Sequence, residues 1–249
     1  MERSSLCIAT WNLDRPWKNG KTRRATEQVE RMLSIDADIW VLTETWCGIR
    51  LPGYTSVRSP WSLGVYDPSE SAAAIHVRDN WVLHEIESTT LTISAEALRP
   101  GGATPLLIIG TIIPWHAAPG GGKWEVHERE AQKQVEAWIQ LREHRPDHRF
   151  IVAGDFNTTL CAENVGYGTE VGRTHIRRGL DAARLFCLTA SSRIPDEHGD
   201  PTRRPVIDHI LVDGRLEPST HVAVDMRPGT HGRPLSDHPC LSVQVHESS

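Results

Sequence analysis

The sequence predicts an α+β fold in which two mainly antiparallel sheets pack face to face with helices outside. Two observations carry this expectation. Short runs rich in Ile, Val and Leu, bounded by Gly, Pro or Asp, recur along the chain, while helical periodicity appears in only a few stretches. Their order is strand–helix–strand, a meander, helix–strand, helix and then strands, which suits stacked sheets better than a regular alternation.

Taken in order, Leu6–Trp11 reads as a strand and Thr22–Leu33 as a helix, with Ala25, Val29, Met32 and Leu33 at helical spacing. Ile39–Thr43 is the next strand. Ala72–Val77 and Trp81–Glu87, separated by Arg78-Asp79-Asn80, read as a hairpin. Ser94–Pro105 contains Gly and Pro and is expected to be loop; Leu106–Ile113 returns to strand. After Gly120-Gly121-Gly122, Glu125–Glu143 carries Val135, Trp138, Ile139 and Arg142 on one helical face. Phe150–Ala153 is a buried strand, and Arg173–Phe186 is a helix with Ile176, Leu180, Ala183 and Leu185 less cleanly spaced. Val206–Val212, His221–Asp225 and Leu241–Val245 close the list as strands. No repeat, low-complexity tract or linker divides the chain, so residues 1–249 are expected to form a single domain.

Composition is that of a soluble globular protein: 249 residues, 39% hydrophobic and 24% charged. The N-terminus lacks the apolar core of a signal peptide, and no apolar run is long enough to span a membrane. The five cysteines are scattered, without Cys-x-x-Cys spacing, as expected of reduced thiols in a cytoplasm. A net charge of −5 argues against a broad basic groove, although a local basic rim and metal ions can still neutralise phosphates. Nothing in the sequence calls for an obligate protein partner.

Polar residues gather at the ends of the apolar runs. Asn12 follows the first strand and Glu44 the second; Gly154-Asp155-Phe156-Asn157 ends the strand Phe150–Ala153; Asp208 lies within Val206–Val212; Ser236-Asp237-His238 precedes the last strand. On a strand, residues two apart share a face, so Asp155 and Asn157 are expected together with Phe156 opposite. A carboxylate beside a carboxamide suits a hard cation, a water and an anionic substrate.

The ordered blocks Ala9-Thr10-Trp11-Asn12, Asp38–Glu44, Gly154-Asp155-Phe156-Asn157, Ile207-Asp208-His209-Ile210 and Ser236-Asp237-His238-Pro239 resemble the signature of the endonuclease/exonuclease/phosphatase superfamily, the deoxyribonuclease I-like fold. The resemblance runs from residue 8 to about residue 245. It implies a four-layer α/β sandwich, a site where the loops of the two sheets meet, and divalent-metal-dependent hydrolysis of a phosphate ester. A phosphodiester repels nucleophiles by its own charge, so a catalyst needs a cation on a non-bridging oxygen, a positioned water and a group that offsets developing charge. On that reading Glu44 is the first metal ligand for Mg2+ or Mn2+, with Asn12 and Asp237 as further oxygen donors. Asp155 orients or deprotonates water, and Asn157 donates its amide to a phosphate oxygen. His238 acts as general acid/base or as an electrostatic stabiliser, with Asp208 fixing its tautomer.

One departure stands out. Many members of that superfamily place a His or Tyr near the end of a central strand, against the scissile phosphate. Aligning Thr111–His116 on that block puts Ile112 there. His116, four residues later, is the candidate to reach the substrate from a loop, with an ordinary loop role as the alternative. Arg203 and Arg204 are candidate substrate-affinity residues, and Arg173, Arg177 and Arg178 add local positive charge that helix-end pairing also explains. Trp115 and Trp124 frame the Gly-rich loop at residues 117–122 as an aromatic gate or as packing. His127-Glu128-Arg129-Glu130-Ala131 lacks the second His of a zincin and is set aside, and the triple Gly lacks the ending of a phosphate loop. The expected function is a metal-dependent phosphodiesterase of the nuclease kind, acting on DNA or RNA. Hydrolysis of a small phosphate ester is the alternative within the enzyme class, and a non-catalytic binding protein on the same fold is the alternative outside it.

Overall fold

The computed structural model describes residues 5–15, 22–60, 70–102, 104–117, 123–161, 166–195 and 201–247, with residues 195 and 201–204 described as backbone only. The strand β1 (Ser5–Asn12) opens the chain, followed by α1 (Arg23–Ile35), β2 (Ile39–Trp46), β3 (Tyr54–Arg58) and β4 (Glu70–Arg78). Then come β5 (Val82–Ser88), β6 (Thr92–Leu98), β7 (Leu106–Ile112), α2 (Trp124–His144), β8 (Arg149–Asp155) and α3 (Glu170–Ala183). The chain finishes with β9 (Leu185–Cys187), β10 (Arg193–Pro195), β11 (Pro201–Pro205), β12 (Asp208–Asp213), β13 (Leu216–Pro218), β14 (Ala223–Asp225) and β15 (Cys240–Glu247).

One sheet runs in the order β13-β15-β1-β2-β4-β3, with β14 also pairing β15; the other runs β5-β6-β7-β8-β12-β9. The pairs β1–β2 and β7–β8 are parallel and the remaining pairs antiparallel. Between the sheets lies a core built from alternate residues of each strand: Leu6 and Ile8, Ile39 and Val41, Ile151 and Ala153, Ile210 and Val212. The opposite faces carry their own cores. Cys7, Ala9, Trp40 and Leu42 pack with Met32 of α1, and Leu107, Phe150 and Val152 pack with Val135 and Trp138 of α2 and Ile176 of α3. Burying each such Leu, Ile or Phe contributes about 1.5–3 kcal/mol, enough to fix which face of every strand turns inward. The result is the expected four-layer sandwich, helix–sheet–sheet–helix. Among the described residues no helix is long and apolar enough to cross a membrane.

Caps explain where two helices begin. The Thr22 side chain accepts from Ala25 N at 3.3 Å and the Thr169 side chain from Gly172 N at 3.0 Å. The third helix therefore starts earlier than expected. It ends at Ala183, where Arg184 turns left-handed (φ 55), so Leu185 and Phe186 belong to β9 rather than to the helix.

Two other expectations are corrected. Ala72–Val77 and Trp81–Glu87 do not form a hairpin, because both edges of β4 are occupied by β2 and β3 while β5 crosses to the other sheet and pairs β6. Ser94–Leu98 is strand, not loop. Ile93, Ala95 and Ala97 of β6 point into the inter-sheet core, and small alanines there permit close packing without a strong hydrophobic signal in the sequence.

Candidate active site

The topology delivers the polar run-ends to one rim. β1 and β2 run parallel, so Asn12 and Glu44 lie toward the same end. β15 is antiparallel to β1, so the turn before it, which carries Ser236, Asp237 and His238, comes to that end as well. In the other sheet Asp208 at the start of β12 faces Asp155 at the end of β8 in register. The packed sheets bring these two sets together.

Asp155 and Asn157 are neighbours, as expected, but through a turn and not through strand alternation. The strand stops at Asp155, Asn157 is left-handed (φ 46), and its backbone N–H donates to Asp155 Oδ1 at 2.8 Å. The Asn157 amide donates to Asp155 Oδ2 (3.1 Å) and to the Ile113 carbonyl (3.0 Å), while Phe156 is buried on the helix side. Asn12 donates to Asp155 Oδ2 at 2.9 Å and also to Glu44, and its own Oδ1 accepts from Asp14 N at 2.9 Å. Asn12 thus ties two acids together.

Glu44 is re-aimed. By alternation it belongs on the Trp40–Leu42 face, against α1; its left-handed backbone (φ 43) breaks the pattern and it lines the cavity, paired with Arg15 at 3.0 Å. Asp14 (φ 49) and Arg15 (φ 48) are left-handed as well. Four strained non-glycine residues therefore flank one cavity, a pattern found where function outweighs local comfort.

His238 closes the site across the sandwich. Its Nδ1–H donates to Asp208 Oδ2 at 2.7 Å, and Nε2 lies 3.9 Å from Asp237 Oδ1. Ser236 anchors the turn by donating to the Asn12 carbonyl (2.6 Å) and accepting from His238 N (3.1 Å), and Trp11 Nε1 donates to the His238 carbonyl at 3.2 Å.

The electrostatics follow from burial. Desolvation pushes Asp155 up to about 7, with Asp208 and Glu44 adding to the rise and His238 opposing it. Burial alone would depress His238; the carboxylates of Asp208 and Asp155 override it and hold the imidazolium, up to about 11. Glu44 is raised by burial, with Arg15 opposing.

The donor set fits a hard divalent cation. Glu44, Asp155 and Asp208 are largely buried acids with Asp14 and Asp237 nearby, against the positive charges of Arg15 and His238, and Asp208 Oδ1 is a buried oxygen with no hydrogen-bond partner among the described residues. Ligand atoms of Asp155, Asp208 and His238 lie within 4.8 Å of one another, a spacing that can hold an ion. The imidazolium of His238 fills the positive role there.

The cavity has about 840 Å³. Its lining combines the charged residues Asp14, Arg15, Glu44, Asp155, Asp237 and His238 with the aromatic and apolar residues Trp115, Tyr167, Ile194, Pro205, Ile207 and Pro239. Trp115, 40% exposed, lines the cavity and makes an edge contact with His116, whereas Trp124 stacks on His116 and does not line the cavity. His116 does not line the cavity. It stacks on Trp124 (4.9 Å, 28°) and meets the Tyr167 hydroxyl through Nδ1 at 3.3 Å. Arg203 and Arg204 lie on the β11 backbone beside Pro205; their side chains, like residues 118–122 of the Gly-rich loop, fall outside the described residues. Arg173 and Arg177 pair with Glu170, and Arg129 and Gln132 pair along α2 with Glu130 and Glu136; none of the four lines the cavity, though Arg173 also donates to the Tyr167 carbonyl. His127 is buried, with Nδ1 donating to the Pro114 carbonyl at 3.0 Å, which is a structural role and not a zinc site.

Sequence reasoning missed Arg15, Tyr167 and His209. The His209 ring spans Thr189 Oγ1 and the Thr158 carbonyl, both at 2.9 Å, and so braces the turn that follows Asn157. Its place inside the Asp208 block was the only signal. Arg15 follows Asn12 closely enough to have been flagged, and Tyr167 had no signal in its flanks beyond two glycines.

A profile of the Endonuclease/Exonuclease/phosphatase family matches residues 9–238. No curated protein matches the sequence. Solved structures share the fold at low identity. An AP endonuclease from Leishmania major superposes with a TM-score of 0.67 at 12% identity, covering 98% of this chain and 88% of that one. An endonuclease/exonuclease/phosphatase family protein from Bacteroides thetaiotaomicron gives 0.67 at 15%, covering 100% of both. The 3′ phosphatase NExo from Neisseria, bound to a product DNA hairpin, gives 0.65 at 18%, covering 98% and 100%.

Proposed function

The chain belongs to the endonuclease/exonuclease/phosphatase family of phosphoesterases, and on that premise we propose that it is a divalent-cation-dependent phosphodiester hydrolase acting on nucleic acid by in-line attack of water. The observation that carries this reading is the Asp208–His238 pair, 2.7 Å apart and drawn from different sheets, beside an Asp155 carboxylate fixed by two amides. Glu44, with Asn12 and Asp237 as further oxygen donors, would hold Mg2+ or Mn2+, which would supply Lewis acidity at a non-bridging phosphate oxygen.

Asp155 orients the attacking water and takes its proton; a carboxylate raised toward neutrality is a competent base at physiological pH. Both of its oxygens are engaged by Asn12 and Asn157, which fixes the direction of the remaining lone pairs. His238, held as imidazolium by Asp208, presents Nε2–H to the cavity and acts as a donor to the developing charge rather than as a base. Asn157, whose amide is also held by the Ile113 carbonyl, supports the phosphate side of the same pocket. The aromatic and apolar part of the lining suits a nucleobase next to the phosphate.

A second reading, hydrolysis of a small phosphate ester, is favoured by one observation. Among the described residues Arg15 is the only Lys or Arg lining the cavity, few cations for tracking a long phosphate backbone. Hydrolysis of bis-p-nitrophenyl phosphate with magnesium, manganese or chelator tests the chemistry, and a panel of supercoiled DNA, single-stranded RNA and small esters separates the substrates. Activity that needs the metal and falls by about 10²–10⁴ in His238→Ala is the expected result. Inactivity with every metal, or a His238→Ala protein that turns over normally, ends the proposal.

A further inference from the structure

Tyr167 is held more tightly than a loop residue requires. Its carbonyl accepts from Thr159 N (3.0 Å), Thr158 Oγ1 (3.2 Å), Thr159 Oγ1 (3.3 Å) and Arg173 Nη1 (3.3 Å). Glycines flank it on both sides, and each is needed. A Cβ on Gly166 would sit 1.7 Å from Thr159 Oγ1, and one on Gly168 (φ 97) would sit 2.0 Å from Thr158 Oγ1. The loop is thereby pressed onto the turn that carries Asn157.

The side chain is fixed as firmly. The ring packs edge-on against Trp124 at 5.4 Å and faces the catalytic cavity beside Trp115. Its hydroxyl meets His116 Nδ1 at 3.3 Å, and His116 is itself stacked on Trp124. In the Nδ1–H tautomer of His116 the phenol oxygen accepts and its own hydrogen is free to point at a ligand, whereas the opposite tautomer draws that hydrogen to the ring. Burial, reinforced by the charge of Asp155, raises the phenol above its ordinary value, so it stays protonated. Ile112, at the end of the neighbouring strand, has no side-chain polar atom to offer.

We propose that the Tyr167 phenol is a catalytic hydrogen-bond donor to a non-bridging oxygen of the substrate phosphoryl group, and that His116 is its positioning residue. This rests on the phosphoesterase reading above. The phenol keeps its proton throughout; it strengthens one hydrogen bond as negative charge builds on the oxygen, and a donor fixed in advance does this without reorganising.

Tyr167→Phe deletes only the hydroxyl and retains the ring packing. It is expected to lower kcat on bis-p-nitrophenyl phosphate by about 100-fold, with KM within about threefold and the melting temperature unchanged. His116→Phe should cost about tenfold, His116→Asn, which keeps a donor at that position, should recover most of it, and neither should matter in the Tyr167→Phe background. A Tyr167→Phe protein with the kcat of the wild type overturns the proposal while leaving the hydrolase reading intact. If the wild type hydrolyses none of the esters, titration calorimetry with inorganic phosphate in magnesium decides. A tenfold weaker affinity in Tyr167→Phe upholds the contact while the hydrolase reading falls. Equal affinities, or no phosphate binding by the wild type, overturn the contact too.

Discussion

The His238 ring is held between opposing demands, and the outcome can be measured directly. Burial favours the neutral ring, while Asp208 at 2.7 Å and Asp155 behind it favour the cation and prevail. In metal-free protein the His238 Cε1 resonance is therefore expected to keep its charged position past pH 9, and Asp208→Asn should bring its titration down by at least one unit. A ring that titrates near 6.5 in the wild type contradicts this assignment. Glu44 makes a companion test. Glu44→Gln is expected to weaken Mn2+ binding at least tenfold in calorimetry without loss of fold, because the carboxylate is the cation's first donor in the proposed site. Much of this was legible before any coordinates. Asp155, Asp208 and His238 announce themselves as polar residues at the ends of apolar runs. Glu44 was grouped with them by its place at a strand end, and the fold brings it to the same cavity, although its inward direction depends on a left-handed φ that no periodicity encodes. Tyr167 was illegible because its position is set by contacts with Thr158 and Thr159 rather than by any pattern of its own.

At the scale of elements, the parallel pair β7–β8 carries the site and tolerates little. Gly154, one residue before Asp155, has φ 137, and a Cβ there would lie 2.0 Å from the Thr111 carbonyl oxygen. Gly154→Ala is expected to destabilise the protein by at least about 2 kcal/mol in urea unfolding, since both strain and backbone collision act together. Near-wild-type stability would mean the strand exit can relax. The strands with strong Ile and Val content were read correctly from sequence. The failures share a cause. The short turn after β4 resembles a hairpin turn, yet partner choice is settled by which edges are already taken, and that is a property of the assembled sheet. β6 was read as loop because its inward residues include alanines, chosen by the narrow space between sheets and not by hydrophobicity.

Across the whole molecule, buried imidazoles set the response to acid. Burial depresses His76 and His209 to about 4. Above pH 6.5 both are neutral folded or unfolded and their contribution is complete. Below it the unfolded chain binds protons that the folded one refuses until about pH 4, so stability falls as pH falls through this window, by at most about 1.4 kcal/mol per pH unit for each ring. Asp155, raised in the fold, acts in the opposite sense between 7 and the ordinary carboxylate range; Glu44, also raised, acts in that sense too, while His127, also lowered by burial, adds to the imidazole effect. Melting temperatures should accordingly drop from pH 7 to 4.5, and more steeply in Asp155→Asn than in the wild type. Equal slopes would refute the assignment.

The first and last strands of the sandwich lie side by side: residues 5–10 of β1 pair with 241–246 of β15, and His238 stands at the head of that last strand. The Asp208–His238 pair therefore cannot form until His238 has been made and β15 has slotted in beside β1. Helix and sheet content should return before turnover on refolding, and circular dichroism followed alongside an activity assay would show the lag. Turnover that returns together with the earliest sheet signal would rule out this ordering. On this ordering a half-folded molecule lacks the Asp208–His238 pair and is expected to turn over no phosphate ester.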